Sequence, residues 1–153
     1  MIGHGVPGLN IHQSFEYSSS PKAVFAALTE GLNAWWPTSW RQTGPDATLV
    51  LNAWLGAAMT ETGAADAGAI WGWIDAIIPD KQLHLLGHFG VENAVAGRVQ
   101  FDIDPNEEGC TLQVLHQAIG PVAEDRGAKY RIAWRDALDT RLRAYLQGAT
   151  ARD

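Results

Sequence analysis

The feature that most constrains this chain is a change of hydrophobic period near its end. Up to Ala118 the apolar residues come in short runs with strand-like alternation. From about Glu124 to Gln147 they follow a helical repeat instead: Tyr130, Trp134, Leu138, Leu142 and Leu146 recur at four-residue steps, with Ala137 and Tyr145 beside them. Arg135, Asp139 and Arg143 form an i,i+4 ladder on the polar side. Such a helix is roughly 35 Å long at 1.5 Å per residue. Its apolar stripe needs an apolar surface of matching length, and a sheet built from the preceding runs is the one candidate.

Those runs are read in order. Ile11 to Tyr17 alternates, with Ile11, Gln13, Phe15 and Tyr17 on one face. Ser20 then supplies a hydroxyl cap and Pro21 a first helical residue, and Val24, Phe25 and Leu28 form the stripe of a short helix that Gly31 ends. A second short helix over Leu32 to Trp36 stops before Pro37. Strand-like runs follow at Thr48–Ala53, Ala57–Thr62, Ala69–Ile78, Gln82–Phe89, Val95–Ile103 and Cys110–Ala118, with turn chemistry at Pro79-Asp80-Lys81 and from Asp104 to Gly109. The order predicts an α+β fold, a curved antiparallel sheet of about seven strands wrapped around the long C-terminal helix, with two short helices after the first strand. Residues 11–147 are expected to form one domain, 1–10 a flexible N-terminal segment and 148–153 a C-terminal tail. A strongly bent sheet touches a straight helix over part of its length, and the gap is where a ligand cavity is expected.

Charge narrows the partners. A net charge of −6 offers no field for a polyanionic backbone, so nucleic acid is not expected. No run reaches the ~20 apolar residues of a membrane span, and no basic region followed by an apolar stretch marks a secretory signal. Cys110, the single cysteine, can form neither an intrachain disulfide nor a cysteine-based metal site, which suits a reducing cytoplasm. Neither a phosphate-binding nor a dinucleotide-binding glycine loop occurs, nor a Gly-x-Ser-x-Gly elbow. The expectation is no metal and no cofactor.

A set of motifs then falls in register. Ser20-Pro21-Lys22-Ala23-Val24-Phe25 follows the first strand and Trp35-Trp36-Pro37 closes the second short helix. Leu55-Gly56-Ala57 leads to Glu61 and Gly63, and Trp71-Gly72-Trp73-Ile74 leads to Pro79 and Leu83. Thr111 to His116 and Trp134 complete the series. In this order the chain, over about residues 11–147, resembles the SRPBCC or START-like helix-grip superfamily, and within it the AHSA-type family named after a heat-shock chaperone ATPase activator. The resemblance implies the helix-grip fold and a cavity between sheet and helix, but no shared catalytic set. The chain departs from the pattern at Gly56-Ala57, where the family has Gly-Gly, and at Gly87, where it has a tryptophan.

Candidate site residues come from parity and chemistry. His116 shares a strand face with Leu112 and Val114 and is expected to point inward, whereas His84 and His88 are expected outside. Those two lie about 13 Å apart on one strand face, too far to share a metal ion. Glu61 occupies a position where the resemblance implies an acid. Asp75 is open: it lines the cavity if Trp71, Trp73 and Ile77 do, and is solvated if Ile70, Ile74 and Ala76 face inward. Trp36, Trp40, Trp54, Phe101, Tyr130 and Trp134 are candidates for an aromatic cavity lining or for plain core.

Three functions are compatible with this reading. The first is binding of a small hydrophobic or amphipathic molecule, the second a cofactor-independent cyclase- or hydratase-type enzyme using a cavity acid or base, and the third a chaperone-associated adaptor. A homodimer is compatible with each.

Overall fold

In the computed structural model, residues 8–91 and 93–152 are described. Among them, β1 (Gly8–Tyr17), β2 (Thr48–Val50), β3 (Ala58–Thr62), β4 (Gly68–Ile78), β5 (Gln82–Leu86), β6 (Ala96–Asn106) and β7 (Gly109–Ile119) form one antiparallel sheet in the order β1-β7-β6-β5-β4-β3-β2. Chain neighbours pair from β2 to β7, as short connections require, and β1 closes the row beside β7.

The two short helices stand where capping chemistry puts them. Ser20 Oγ accepts from the Ala23 amide at 3.1 Å, Pro21 opens α1 (Pro21–Leu28), and α2 (Leu32–Trp35) stops ahead of Pro37. The C-terminal helix runs as α3 (Arg126–Arg135), a π-helical segment (Asp136–Leu142) and α4 (Arg143–Arg152). Its inward face buries Trp134, Ala137, Leu138, Leu142 and Leu146. Across from it, Val99, Phe101 and Ile103 of β6 and Leu112, Val114 and His116 of β7 form the inner face of the sheet.

Several boundaries differ from expectation. β1 starts at Gly8, so residues 8–10 of the segment expected to be flexible are paired with β7, because Leu9 continues the buried alternation of Ile11. Residues 1–7 of that segment lie outside the described residues. At the other end the helix passes through Gly148 to Arg152 instead of ending in a tail. One interior glycine costs about 1 kcal/mol, too little to stop a helix anchored by buried Leu146. The strand expected to reach Phe89 ends at Leu86, which leaves His88 in the loop that follows.

β4 settles the open question of Asp75 with an answer outside both alternatives. Its pairing slips twice, past Trp71 opposite β3 and past Asp75 opposite β5. Each slip inserts one residue and reverses the parity of the strand. Trp71 and Ile74 therefore both point inward, while Trp73 between them is 48% exposed.

Candidate functional site

The expected gap between sheet and helix is largely occupied by aromatic rings. Trp36 is the hub, with ring centroids 4.9 Å from Trp40, 5.4 Å from Trp71 and 6.1 Å from Trp134, all edge to face. Trp134, 1% exposed, also packs on Phe101 at 5.8 Å. Trp36, Phe101 and Trp134 are thus core residues, the plainer of their two readings.

Space remains at one end of this cluster, where a cleft of about 240 Å³ opens between the 3₁₀ turn Thr38–Trp40, β4, the loop after β5 and the start of α3. Trp40, Trp71, Phe89 and Tyr130 wall it. Ser39 and Gln42 add polar groups on one side, and Arg126, Lys129 and Ala133 line it from the helix. Gly90 backs the cleft against Trp71: a Cβ there would meet the indole at 3.0 Å, and its φ of +72° suits glycine. Of the candidates from sequence, Trp40 and Tyr130 line this cleft. Phe89, which the sequence assigns to the end of a strand, and Gly90 stand in the loop after β5, and Trp71 lines the cleft as one of the two alternatives for β4 had it.

Gly87, where the resemblance implies tryptophan, admits no side chain in this backbone, since a Cβ would lie 2.3 Å from the Trp71 carbonyl oxygen.

Glu61 sits behind the cleft wall rather than in it. It is 1% exposed and accepts four hydrogen bonds, from the Gln42 amide at 3.0 Å, the Thr43 amide at 2.5 Å, the Thr43 hydroxyl at 2.6 Å and Trp71 Nε1 at 3.0 Å. Burial pushes its pKa up, but the four donors outweigh it and hold the carboxyl below its usual range. A carboxylate so engaged fixes the Gln42-Thr43 segment after the 3₁₀ turn, together with Trp71, and has little capacity left for proton transfer.

His116 is fully buried with one ring nitrogen engaged. Trp134 Nε1 donates to its Nδ1 at 3.1 Å, and its ring lies 5.2 Å from Tyr130 and 6.1 Å from Phe89. It points inward as parity predicts, one ring behind the cleft walls. Burial lowers its pKa to about 4, so at neutral pH it is uncharged.

The remaining candidates lie elsewhere. Asp75 accepts from Arg98 at 2.7 Å on the outer face of the sheet, because the slip past Trp71 turns Trp73 and Asp75 away from the core. Trp73 is on that same outer face and Trp54, 61% exposed, is in the loop before β3. None of the three reaches the cleft. His84 pairs with Asp102 at 3.0 Å, also outside. Among the described residues no group of three His, Cys, Asp or Glu is placed to hold a metal ion, and no helix is long and apolar enough to cross a membrane.

No protein-family model and no curated protein matches the chain. Solved structures do. Protein MLL2253 from Mesorhizobium loti superposes with a TM-score of 0.71 at 14% identity, over 92% of this chain and 98% of that one. The AHSA1-like protein from Aeromonas hydrophila gives 0.62 at 14% identity, over 93% and 94%. CalU16 from Micromonospora echinospora gives 0.60 at 19% identity, over 92% of this chain and 74% of that one. With the curved seven-stranded sheet, the two short helices after β1 and the long C-terminal helix, these similarities identify the architecture: the chain has the helix-grip fold of the SRPBCC, START-like and AHSA-type proteins.

Proposed function

We propose that this chain binds a small hydrophobic or amphipathic molecule in the cleft beside Trp40 and Tyr130. The observation that carries the reading is the construction of the cleft: four aromatic walls with a few polar groups at the rim, at the mouth of a packed core. Pockets for small organic ligands have this character. About 240 Å³ lies just below the usual range for drug-sized ligands, so the occupant is a compact molecule of no more than three rings. The reading needs neither metal nor nucleotide. It assigns the protein to a reducing cytoplasm, on the strength of its single cysteine, which is buried.

The enzyme reading asks for two titratable groups converging on one point. Glu61, Asp75 and His116 are dispersed to the back of the cleft wall, the outer face and the core, which argues for binding over catalysis.

Titration with the fluorophore 8-anilinonaphthalene-1-sulfonate tests the proposal. One saturable site is expected in the wild type. Ala133→Trp, which fills the cleft from the half-buried side of the helix, is expected to abolish it. Binding that survives Ala133→Trp would place the ligand elsewhere and reject the reading.

A second reading has its own support. Trp54, Leu55, Trp73 and Leu86 are exposed around the outer ends of β4 and β5, with Trp73 and Leu86 register partners. Apolar side chains gathered on an outer face suit a protein partner, whether the adaptor role or a second copy of the chain. Sedimentation equilibrium separates these: a dimer that Trp73→Lys dissociates supports self-association, and a monomer at all concentrations rejects it.

A further inference from the structure

The aromatic cluster leaves two buried donors without acceptors, while satisfying three other indoles. Trp35 Nε1 donates to the Ala27 carbonyl at 2.8 Å, Trp71 Nε1 to Glu61 at 3.0 Å and Trp134 Nε1 to His116 at 3.1 Å. Trp36 Nε1 and His116 Nε2 have no hydrogen-bond partner. The identity of the second as a donor follows from the first ring bond. An indole nitrogen can only donate, so His116 Nδ1 accepts, and the one proton of the neutral imidazole sits on Nε2. Buried polar groups are nearly always paired, which makes two unpaired N–H groups in one cluster a feature to be explained.

Their positions flank the cleft. Trp36 lies directly behind the walls Trp40 and Trp71, and His116 lies directly behind Phe89 and Tyr130. Both touch Trp134, which spans the space between them. Both unsatisfied groups are donors, and the rings in front of them are cleft walls. Phe89 holds its place with a φ of +46°, a backbone conformation uncommon for an aromatic residue.

Building on the cleft-binding reading, we infer that its ligand is a ring compound carrying a hydrogen-bond acceptor without a donor, a ring ketone or an equivalent carbonyl, whose oxygen accepts a hydrogen bond from His116 Nε2–H or Trp36 Nε1–H after a wall ring shifts. A hydrocarbon would leave both donors as they are. An alcohol supplies an acceptor but brings a hydroxyl proton into a cluster whose acceptors are already engaged, so it ranks between the two. An aromatic box alone would also suit a quaternary ammonium ion, but such a ligand accepts no hydrogen bond and faces Arg126 and Lys129 at the rim.

The test uses three probes of one size: 1-indanone, 1-indanol and indane, titrated into uniformly ¹⁵N-labelled wild-type protein. The expected order of affinity is ketone, alcohol, hydrocarbon, with about a tenfold gap between the first and last, as one satisfied buried hydrogen bond allows. The ketone is expected to shift the Trp36 indole N–H or the His116 Nε2 resonance downfield, and the hydrocarbon to shift neither in that direction. His116→Phe and Trp36→Phe, measured separately, show which donor is used: one of them should bring indanone down to the affinity of indane. Equal affinity of indanone and indane in the wild type, with neither resonance responding, overturns this inference and leaves cleft binding standing. Failure of all three probes to bind, in a protein that also fails to take up the anilinonaphthalene probe, rejects both.

Discussion

Glu61 and His116 are two of the polar residues buried in the interior, and they answer to pH in ways that follow from their surroundings. Glu61 holds four donors, all of which would lose their acceptor in Glu61→Ala. That substitution should cost about 3 kcal/mol in denaturant melts, the range for removing one member of a buried charged network. Because its folded pKa is depressed, its stabilisation is complete above the ordinary carboxylate value and is lost as pH falls through the lower folded value. For His116 the unfolded ring takes up a proton below 6.5 while the folded ring stays neutral down to about 4. Stability should therefore fall by roughly 3 kcal/mol as pH drops from 6.5 to 4, and the His116→Phe protein should show a flatter profile over that window. Of these two, residue-level reading from sequence reached the inward orientation of His116 but not the place of Glu61 behind the cleft wall. Regular alternation along β7 turns His116 inward, and Glu61 shares the buried face of β3 with Met59. It left Asp75 open between two alternatives, because parity counts residues and a strand slip adds one that no residue type announces.

At the scale of elements, strands and caps were legible wherever a local pattern decides them, as at Ser20-Pro21 and along β1, β6 and β7. The two slips in β4 were not, since they answer to the partner strands and to the bulk of Trp71. The C-terminal helix carries a related lesson. Four-residue steps from Tyr130 to Leu146 drift by about 40° each in a uniform α-helix, which would carry the stripe well off the sheet by its last member. The wider turns of the π-helical segment Asp136–Leu142 offset that drift and keep Leu138, Leu142 and Leu146 buried. The repeat in the sequence is thus itself a trace of the π segment, which helical periodicity alone does not separate from a plain helix. A π segment redirects carbonyls, and Tyr17 Oη donates to that of Leu138 at 2.6 Å while Arg143 lies over its ring at 4.8 Å. Burial raises the Tyr17 pKa, so the phenol remains a donor. Tyr17→Phe should keep the ring contact, lose about 1 kcal/mol and accelerate hydrogen exchange around Leu138 and Leu142. Unchanged exchange would show that the carbonyl needs no such partner.

Over the whole molecule, helix and sheet meet through Trp134, which joins Phe101 of β6, His116 of β7 and the Trp36 hub. Trp134→Ala should cost about 3–5 kcal/mol, combining a large cavity with the loss of the donor to His116. A loss below about 1 kcal/mol would mean that the cluster closes around the deletion. The sequence announced the partners of this interface through aromatic content, but not how completely they would fill it. Filling depends on side-chain angles across five elements, and it is what moved the open volume from the expected central cavity to a cleft at one end. The most direct test of that cleft as the binding site is amide chemical-shift mapping with 1-indanone. The account predicts perturbations concentrated at Trp40, Gln42, Gly90, Tyr130 and Ala133, which surround the cleft. Perturbations centred instead on Trp54, Leu55, Trp73 and Leu86 would contradict it and make the outer face the site of binding.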